Sequence, residues 1–326
     1  METSVFEKVQ QQIQEYYAQG DYQSALEVAE RAAEYFPEYA HLLTYWRSAM
    51  AARLGESQRA IRLIEQAVAS GFWYGERLLR KSPSFTSLQG IPEFEEVVTA
   101  SARMQAQEES QLYPLLVLRQ PGHCEPGSPP CPWMIALHAN AGTAHDSIGF
   151  WQPVAREGWL VGVPQSRQAL WKGAYVWEDR EQAAEEIQKH YLALTEQYNL
   201  ESRRLLIAGH GLGAELAIWM ALTGVVPVVG FLAIAPTGPM MADPEQWWPL
   251  IQKGSAVDKT TYLRAYLMVG EEDEMVAHEN IERLNELLNQ GGIESEMEEV
   301  PLAGHDYLAE FDAPLLRALA FLSERE

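Results

Sequence analysis

The pattern of apolar and polar positions changes near residue 105 and divides the chain into two regions. Before about residue 100, apolar residues recur every three or four positions, which predicts helices throughout. After residue 110, short apolar runs alternate with amphipathic stretches, a pattern typical of a doubly wound, mostly parallel α/β sheet. We therefore expect an all-α helical-repeat domain over residues 1–105 and an α/β domain over residues 111–326, with the polar segment 101–110 between them.

Short apolar runs are the predicted strands of the second domain. The middle ones, such as 205–208, are apolar at nearly every position, as expected of strands buried on both faces of a parallel sheet. Residues 179–198 carry apolar side chains at spacings of three and four, which predicts an amphipathic helix between strands. The predicted strands are residues 115–118, 134–137, 160–163, 205–208, 228–235, 263–269 and 296–300.

The helical domain contains a short repeat. Gly20 matches Gly55 and Ala25 matches Ala60, each pair at the same spacing of 35 residues. This pattern resembles the tetratricopeptide repeat, whose period is about 34 residues. The resemblance implies a peptide-binding groove on residues 1–70. Two units are few for such an array, which favours a domain that caps its neighbour over a peptide-binding groove, with residues 71–98 covering the repeat.

The chemistry of the second domain centres on a glycine-rich turn. The segment GHGLG at residues 209–213 follows the predicted strand 205–208 directly. A strand, a sharp turn and a helix form the context of the nucleophile elbow, G-x-S-x-G. Both outer glycines, Gly209 and Gly213, are present, as the tight turn requires. The middle position, where a hydrolase needs serine, holds Gly211.

An acid and a histidine follow in the chain order that such sites use, nucleophile, acid and then histidine. Asp273 comes just after one predicted strand, and His305 comes after the last one. Asp273 can orient His305, which in an intact triad is the general base toward the serine. Their order and their places at strand ends favour a remnant dyad over an ordinary surface pair.

The donors of an oxyanion hole are also expected in this domain. His138 and Asn140 lie in the first turn after the predicted strand 134–137, where half of the hole is usually formed. The backbone N–H of Leu212, the residue after the nucleophile position, supplies the other half. These three residues are the candidate oxyanion or ligand-binding positions.

Taken together, residues 111–326 resemble the phospholipase/carboxylesterase branch of the α/β-hydrolases. The segments that carry the resemblance are LHANAG, VGVPQSRQ, GAYVWEDR, GHGLGAELAIWMALTG, VGEEDEMV and GHDY. For an intact member, the resemblance implies hydrolysis of carboxylic esters through a covalent acyl-enzyme. We expect no cofactor and no metal. The sequence departs from the family at Gly211, which removes the attacking atom, and at Ala139 and Ala141, which stand where glycines are usual.

Three interpretations of Gly211 are open: a natural loss of the nucleophile, a segment that is not a nucleophile elbow at all, or an engineered replacement of serine. An active esterase would need the engineered replacement or a nucleophile displaced to another segment. Ser147 and Ser166 lie in loops at the same end of the predicted sheet. Nothing in their sequence surroundings marks either hydroxyl as activated. His210 is next to the tip of the turn, and we expect it to point away from the site.

Several tryptophans fall in segments expected to overhang the carboxyl edge of the sheet. They are candidates to line an apolar ligand pocket, and we select Trp171 as the predicted ligand contact. Packing within the core is the alternative for each. These tryptophans are Trp171, Trp177, Trp247 and Trp248.

The net charge and the hydropathy of the chain limit the kinds of partner that we expect. The chain has 46 acidic and 24 basic residues and a net charge of -22, so its field repels nucleic acid and anionic membrane surfaces. No apolar run approaches the roughly 20 residues that span a bilayer, and the amino terminus lacks the apolar core of a secretion signal. We expect a cytoplasmic location. Cys124 and Cys131 are then expected to be reduced, with a small disulfide as the alternative.

Three functions follow from these observations. The leading one is a catalytically inactive pseudo-hydrolase that binds a small apolar or ester-like ligand, or a protein. The rival is a carboxylesterase, through an engineered or displaced nucleophile. The third is an adaptor that binds a protein partner through residues 1–70.

Overall fold

The computed structural model describes residues 2–257, 263–305 and 311–324. The chain divides into two compact units, residues 1–112 with 169–172 and residues 113–168 with 173–326. The boundaries expected from sequence, 1–105 and 111–326, did not include the return of the chain to the first unit at residues 169–172. Among the described residues, no helix is both long and apolar enough to cross a membrane.

The first unit is built from α-helices and short 3-10 turns. Gly20 and Gly55 each lie just after a helix with φ of 78° and 81°, a left-handed conformation that glycine adopts without a steric penalty. The assignment of this unit to the tetratricopeptide repeats stays a prediction. Its helices are α1 (Glu2–Ala18), α2 (Tyr22–Tyr35), α3 (Ala40–Arg53), α4 (Ser57–Ala69), α5 (Glu76–Lys81) and α6 (Pro92–Glu109).

The segment 169–172 is bonded into the first unit through its backbone. The N–H of Gly75 donates to the carbonyl of Leu170 at 2.6 Å, and the N–H of Lys172 donates to the carbonyl of Trp73 at 3.0 Å. A Cβ on Gly75 would lie 2.3 Å from the carbonyl oxygen of Ala169, so only glycine permits this approach. The unit therefore depends on four residues that are distant from it in sequence.

The second unit contains a seven-stranded sheet among its described residues, in the order β1-β3-β2-β6-β7-β8-β9. Strand β1 is antiparallel to β3, and the other pairs are parallel, which confirms the predicted mostly parallel α/β fold. The strands are β1 (Leu115–Leu118), β2 (Cys131–Leu137), β3 (Leu160–Pro164), β6 (Leu200–His210), β7 (Gly230–Ile234), β8 (Arg264–Gly270) and β9 (Glu294–Val300).

Helices connect these strands, and a small two-stranded hairpin lies between β3 and the next long helix in the chain. The hairpin pairs β4 (Gln168–Trp171) with β5 (Ala174–Val176). It was not predicted from sequence, because strands of four and three residues carry too little periodicity. The helices are α7 (Ala144–Ser147), α8 (Gln152–Arg156), α9 (Arg180–Gln197), α10 (Leu212–Thr223), α11 (Trp248–Val257), α12 (His278–Gln290) and α13 (Asp312–Ser323).

The core of the second unit lies on both faces of its central strands. Every residue of β3 and β7 is buried, which explains why these strands have no polar positions. Helix α10 is also buried along most of its length and packs on the sheet. This burial fixes the start of α10, where the candidate site lies.

Cys124 and Cys131 form a disulfide, with their Cα atoms 5.4 Å apart. The expectation that both would be reduced was therefore wrong. Two backbone bonds bring the cysteines together, because Asn199 donates its N–H to Cys124 and accepts from the N–H of Cys131. Both cysteines are buried in the core of the second unit.

Candidate functional site

The turn between β6 and α10 has the backbone expected of a nucleophile elbow. Gly211 lies at its tip with φ of 59° and ψ of -124°, a conformation that side-chain-bearing residues rarely adopt. A Cβ on Gly209 would lie 2.3 Å from the carbonyl oxygen of Gly213, and a Cβ on Gly213 would lie 2.5 Å from that of His138. Both outer glycines are thus required by close backbone approach.

The space above Gly211 is large enough for a Cβ atom. A Cβ there would meet the Thr237 hydroxyl at 3.4 Å and the Asn140 carboxamide oxygen at 3.6 Å. Neither contact is a clash. The backbone is held on both sides, since Gly211 donates its N–H to Ile234 at 3.0 Å and accepts from the N–H of Thr237 at 3.1 Å. A Cβ atom at position 211 therefore fits, and the cost of a side chain there is its strained φ.

Asp273 and His305, predicted as a remnant dyad, are in contact. The Nδ1 of His305 lies 2.9 Å from Oδ2 of Asp273, whose side chain is fully buried. The second carboxylate oxygen accepts from the N–H of Met275 at 2.9 Å. Burial acts to raise the pKa of Asp273, but the hydrogen bond and charge of His305 and the backbone donors outweigh it and lower that pKa. The carboxylate is thus ionised and orients the imidazole. Asp306 and Tyr307 of the same GHDY segment lie outside the described residues.

His210 supports the loop that carries His305. Its Nε2–H donates to the backbone carbonyl of His305 at 2.8 Å, and the two rings are 5.1 Å apart. Burial, reinforced by the neighbouring His305, lowers the pKa of His210 to about 4. His210 is therefore neutral at pH 7, and it points toward the His305 loop rather than to the space above Gly211.

The N–H of Leu212, the predicted oxyanion donor, already has an acceptor. It donates to the Asn140 carboxamide oxygen at 2.9 Å. An oxyanion hole requires donors directed at the position of the developing oxyanion. In this protein one of these donors, the N–H of Leu212, is already bonded to the side chain of Asn140.

His138 is buried at the start of the same turn. Its Nδ1–H donates to the carbonyl of Ala139 at 2.9 Å, and its Nε2 accepts from the N–H of Ser166 at 3.2 Å. Burial lowers the pKa of His138 to about 4, so the ring is neutral at pH 7. Its imidazole holds the turn in place. Ala141, where a glycine is usual, has φ of 53°.

The serines and tryptophans considered from the sequence are engaged in structural contacts, and Ser166 and Trp177 both bond to His138. Ser147 and Ser166 are buried, and their hydroxyls donate to the carbonyls of Ala144 and Val176. Trp171 belongs to the first unit, where its ring centroid is 5.8 Å from that of His41. The remaining predicted tryptophans, Trp177, Trp247 and Trp248, pack in or against the core of the second unit.

Sequence reasoning missed two features of the site. One is Thr237, whose hydroxyl is the nearest neighbour of the Gly211 position and comes from the turn after β7, the strand next to β6. The other is Glu215, a buried acid in the first turn of α10. It pairs with Arg180 and accepts from the N–H of Met240 at 2.8 Å. An acid inside an otherwise apolar helix was the available signal for Glu215.

Comparison with known proteins agrees with this architecture. Residues 6–109 match the family model described as the A/B hydrolase-like, N-terminal domain. An uncharacterized protein from Bacillus cereus ATCC 10987 is 22% identical, with a TM-score of 0.53 over 97% of this chain and 98% of that one. Esterase PE8 is 15% identical, with a TM-score of 0.50 over 64% of this chain and 97% of its own.

A third solved structure is FphF, a fluorophosphonate-binding serine hydrolase from Staphylococcus aureus. It is 16% identical, with a TM-score of 0.50 over 65% of this chain and 92% of that one. No curated protein matches the chain. The protein therefore has an α/β-hydrolase fold with an all-helical amino-terminal region.

Proposed function

We infer that this protein is a non-catalytic member of the α/β-hydrolase fold that binds a small apolar ligand. One observation carries the inference: the elbow tip is Gly211, and the adjacent oxyanion donor, the N–H of Leu212, is bonded to Asn140. Both the attacking atom and one stabilising donor of ester hydrolysis are thus lacking at this position.

The missing nucleophile removes the covalent step. A serine hydrolase attacks its substrate with a hydroxyl that a histidine deprotonates. Thr237 places a hydroxyl beside Gly211, but in the part of the chain that the structure describes its Oγ1 has no hydrogen-bond partner. Neither His305 nor another base activates it there. Ser147 and Ser166 are bonded to backbone carbonyls.

The occupied donor adds a second barrier. Loss of one oxyanion donor costs about 10² to 10³ in turnover in a serine protease. Asn140 presents an oxygen, an acceptor, where an oxyanion would need a donor. A carbonyl group bound at this position would meet repulsion rather than stabilisation.

A carboxylesterase with a displaced nucleophile is the second candidate, and the contact between Asp273 and His305 favours it. Such a dyad is what a general base requires. In this candidate the nucleophile is the Thr237 hydroxyl, which lies nearest to the Gly211 position. The Thr237 side chain would have to rotate until its hydroxyl reaches His305.

Turnover of 4-nitrophenyl butyrate separates the two candidates. We expect the protein to hydrolyse this ester no faster than its His305→Ala and Thr237→Val variants do, because neither side chain takes part in turnover. The Thr223→Val variant, which changes an exposed threonine in α10, is the matched control. A rate that falls in both His305→Ala and Thr237→Val, but not in Thr223→Val, would establish the esterase instead.

A further inference from the structure

Residues 169–172, here called the strap, are held by the first unit, although Gln168 and Gly173 on either side belong to the second unit. Besides two backbone hydrogen bonds, the strap forms an antiparallel bridge between Trp171 and Tyr74. The Trp171 ring packs against a buried apolar cluster of the first unit. Backbone and side-chain contacts therefore both fix the strap in place.

The segment directly after the strap is bonded to the oxyanion turn, residues 138–142. The N–H of Tyr175 donates to the carbonyl of Gly142 at 3.3 Å, and these two residues form an antiparallel bridge. The indole N–H of Trp177 donates to the carbonyl of His138 at 3.1 Å, and the two rings lie 4.9 Å apart. Both ends of the turn are thus held by residues that follow the strap closely in sequence.

The segment before the strap is bonded to the same turn. Ser166 donates its N–H to Nε2 of His138 at 3.2 Å. The Ser166 Oγ accepts from the N–H of Gln168, the last residue before the strap, at 3.1 Å and donates to the carbonyl of Val176. The chain is therefore tied to the turn on both sides of the strap, so a displacement of the strap pulls on these bonds.

The oxyanion turn keeps its shape because its surroundings hold it. Ala141 has φ of 53°, in the left-handed region, which costs free energy for a residue with a side chain. The same turn carries Asn140, whose carboxamide oxygen accepts from the N–H of Leu212 at 2.9 Å. A strained turn relaxes when the bonds around it loosen, and the position of Asn140 then changes with it.

We propose that the strap couples the first unit to the oxyanion turn. While the first unit holds the strap, the turn keeps Asn140 bonded to Leu212, and release of the strap loosens the turn and frees the Leu212 N–H. The helical unit is in this way a regulator of the elbow. The coupling is separate from the ligand-binding assignment and does not require the elbow to catalyse a reaction.

Hydrogen exchange of the full chain, measured residue by residue in ¹⁵N spectra, tests the coupling from the side of the first unit. Gly75→Ala displaces the strap, because its Cβ would lie 2.3 Å from the carbonyl oxygen of Ala169. We expect the backbone N–H of Tyr175 and the indole N–H of Trp177 to exchange at least ~10-fold faster, as in the local opening of a segment. The Leu212 amide signal should shift, because its hydrogen bond is lost.

A reference signal and a control variant distinguish this coupling from general destabilisation. The indole N–H of Trp133, bonded to the carbonyl of Glu201 at 3.1 Å, should keep its exchange rate in Gly75→Ala. Leu26→Ala removes packing in a different buried cluster of the first unit and should leave exchange after the strap unchanged. Trp171→Leu weakens the hold on the strap without adding a backbone clash, so it should repeat the response if Gly75→Ala does not fold.

Coupling free energies are reciprocal, so a change at the turn should also affect the strap. Trp177→Phe removes the hydrogen bond to His138. We then expect faster exchange of the N–H groups of Gly75 and Lys172, which bond the strap to the first unit. Trp133→Phe is the matched variant, since it removes one indole hydrogen bond from an equally buried tryptophan, and it should leave both N–H groups unchanged.

Three results would overturn the proposal. They are unchanged exchange after the strap in both first-unit variants, uniformly faster exchange that includes Trp133, and equal effects of Trp177→Phe and Trp133→Phe on the bonds of the strap. These outcomes are distinct from failure of the proposed function. Ester turnover that depends on His305 would refute the non-catalytic assignment without changing any of these exchange rates.

Discussion

The imidazole of His305 is held 2.9 Å from the carboxylate of Asp273, although no serine stands at the elbow for it to activate. The buried carboxylate fixes the ring with its Nδ1 bonded, which leaves Nε2 as the nitrogen that a nucleophile would use. The Asp273–His305 pair therefore has the geometry that a general base and its orienting acid require, and the position expected for the nucleophile holds Gly211.

Restoring serine should destabilise the fold. The φ of Gly211, 59°, is one that side chains adopt at a cost of about 1 to 3 kcal/mol, while the space above it is sufficient. Urea unfolding of Gly211→Ser should show a loss of that size. Gly211→Ala is the matched control and should lose about as much, because the cost lies in the backbone. Unchanged stability in both variants would contradict the strained-elbow assignment.

Asn140 should limit any activity that serine restores. In Gly211→Ser, the carboxamide of Asn140 still accepts from the oxyanion donor Leu212. Adding Asn140→Gly frees that N–H, and we expect at least ~10-fold faster hydrolysis of 4-nitrophenyl butyrate, a part of the effect of one such donor. Adding Ala139→Gly instead changes the same turn but keeps the bond, so it should give little increase. Equal rates in the two double variants would refute this role of Asn140.

The helical unit should depend on its contact with residues 169–172. Gly75→Ala places a methyl group 2.3 Å from the carbonyl oxygen of Ala169, so the backbone must shift. We expect a loss of about 1 to 3 kcal/mol in unfolding free energy, typical of overpacking. Gly149, with open space at its Cβ and no left-handed φ, gives the matched control Gly149→Ala, which should be close to neutral. Similar stabilities for the two variants would argue against the contact.

Two buried histidines should make the protein sensitive to mild acid. The pKa values of His138 and His210 are lowered to about 4, whereas an unfolded histidine titrates near 6.5. Below pH 6.5 the unfolded chain binds more protons, so the free energy of unfolding falls as pH falls, and the decrease due to these histidines levels off below about pH 4. At pH 5 the expected loss relative to pH 7 is about 2 kcal/mol for each histidine.

His210→Gln tests this pH dependence, because it removes one of the two groups. Urea unfolding at pH 7 and pH 5 should show a loss smaller by about 2 kcal/mol than in the unmodified protein. His145→Gln changes an exposed histidine and should keep the original loss. The same loss in all three proteins would show that His210 does not contribute.

Much of the fold followed from periodicity in the sequence. The apolar runs located the main strands because buried parallel strands tolerate few polar residues, and Asp179 marked the start of α9, where it caps the helix. The hairpin β4–β5 and the return of residues 169–172 to the first unit escaped prediction. They depend on backbone hydrogen bonds between distant segments, which leave no local pattern.

The candidate site was predictable in its outline and not in its details. From the sequence, Gly211, Asp273 and His305 were each predicted to follow the end of a strand, at one edge of the sheet. In the structure Asp273 and His305 are in contact. The bond between Asn140 and Leu212 and the position of Thr237 depend on side-chain directions in loops. No spacing rule encodes those directions.

Intact mass after incubation with a fluorophosphonate probe tests the central claim most directly, because the probe reacts rapidly and stoichiometrically with a hydroxyl that a base has activated. We expect that the protein with Gly211 gains no mass, and that Gly211→Ser gains one adduct in a reaction that His305→Ala abolishes. A stoichiometric adduct on the protein with glycine at position 211 would contradict the account, and the labelled peptide would identify the displaced nucleophile.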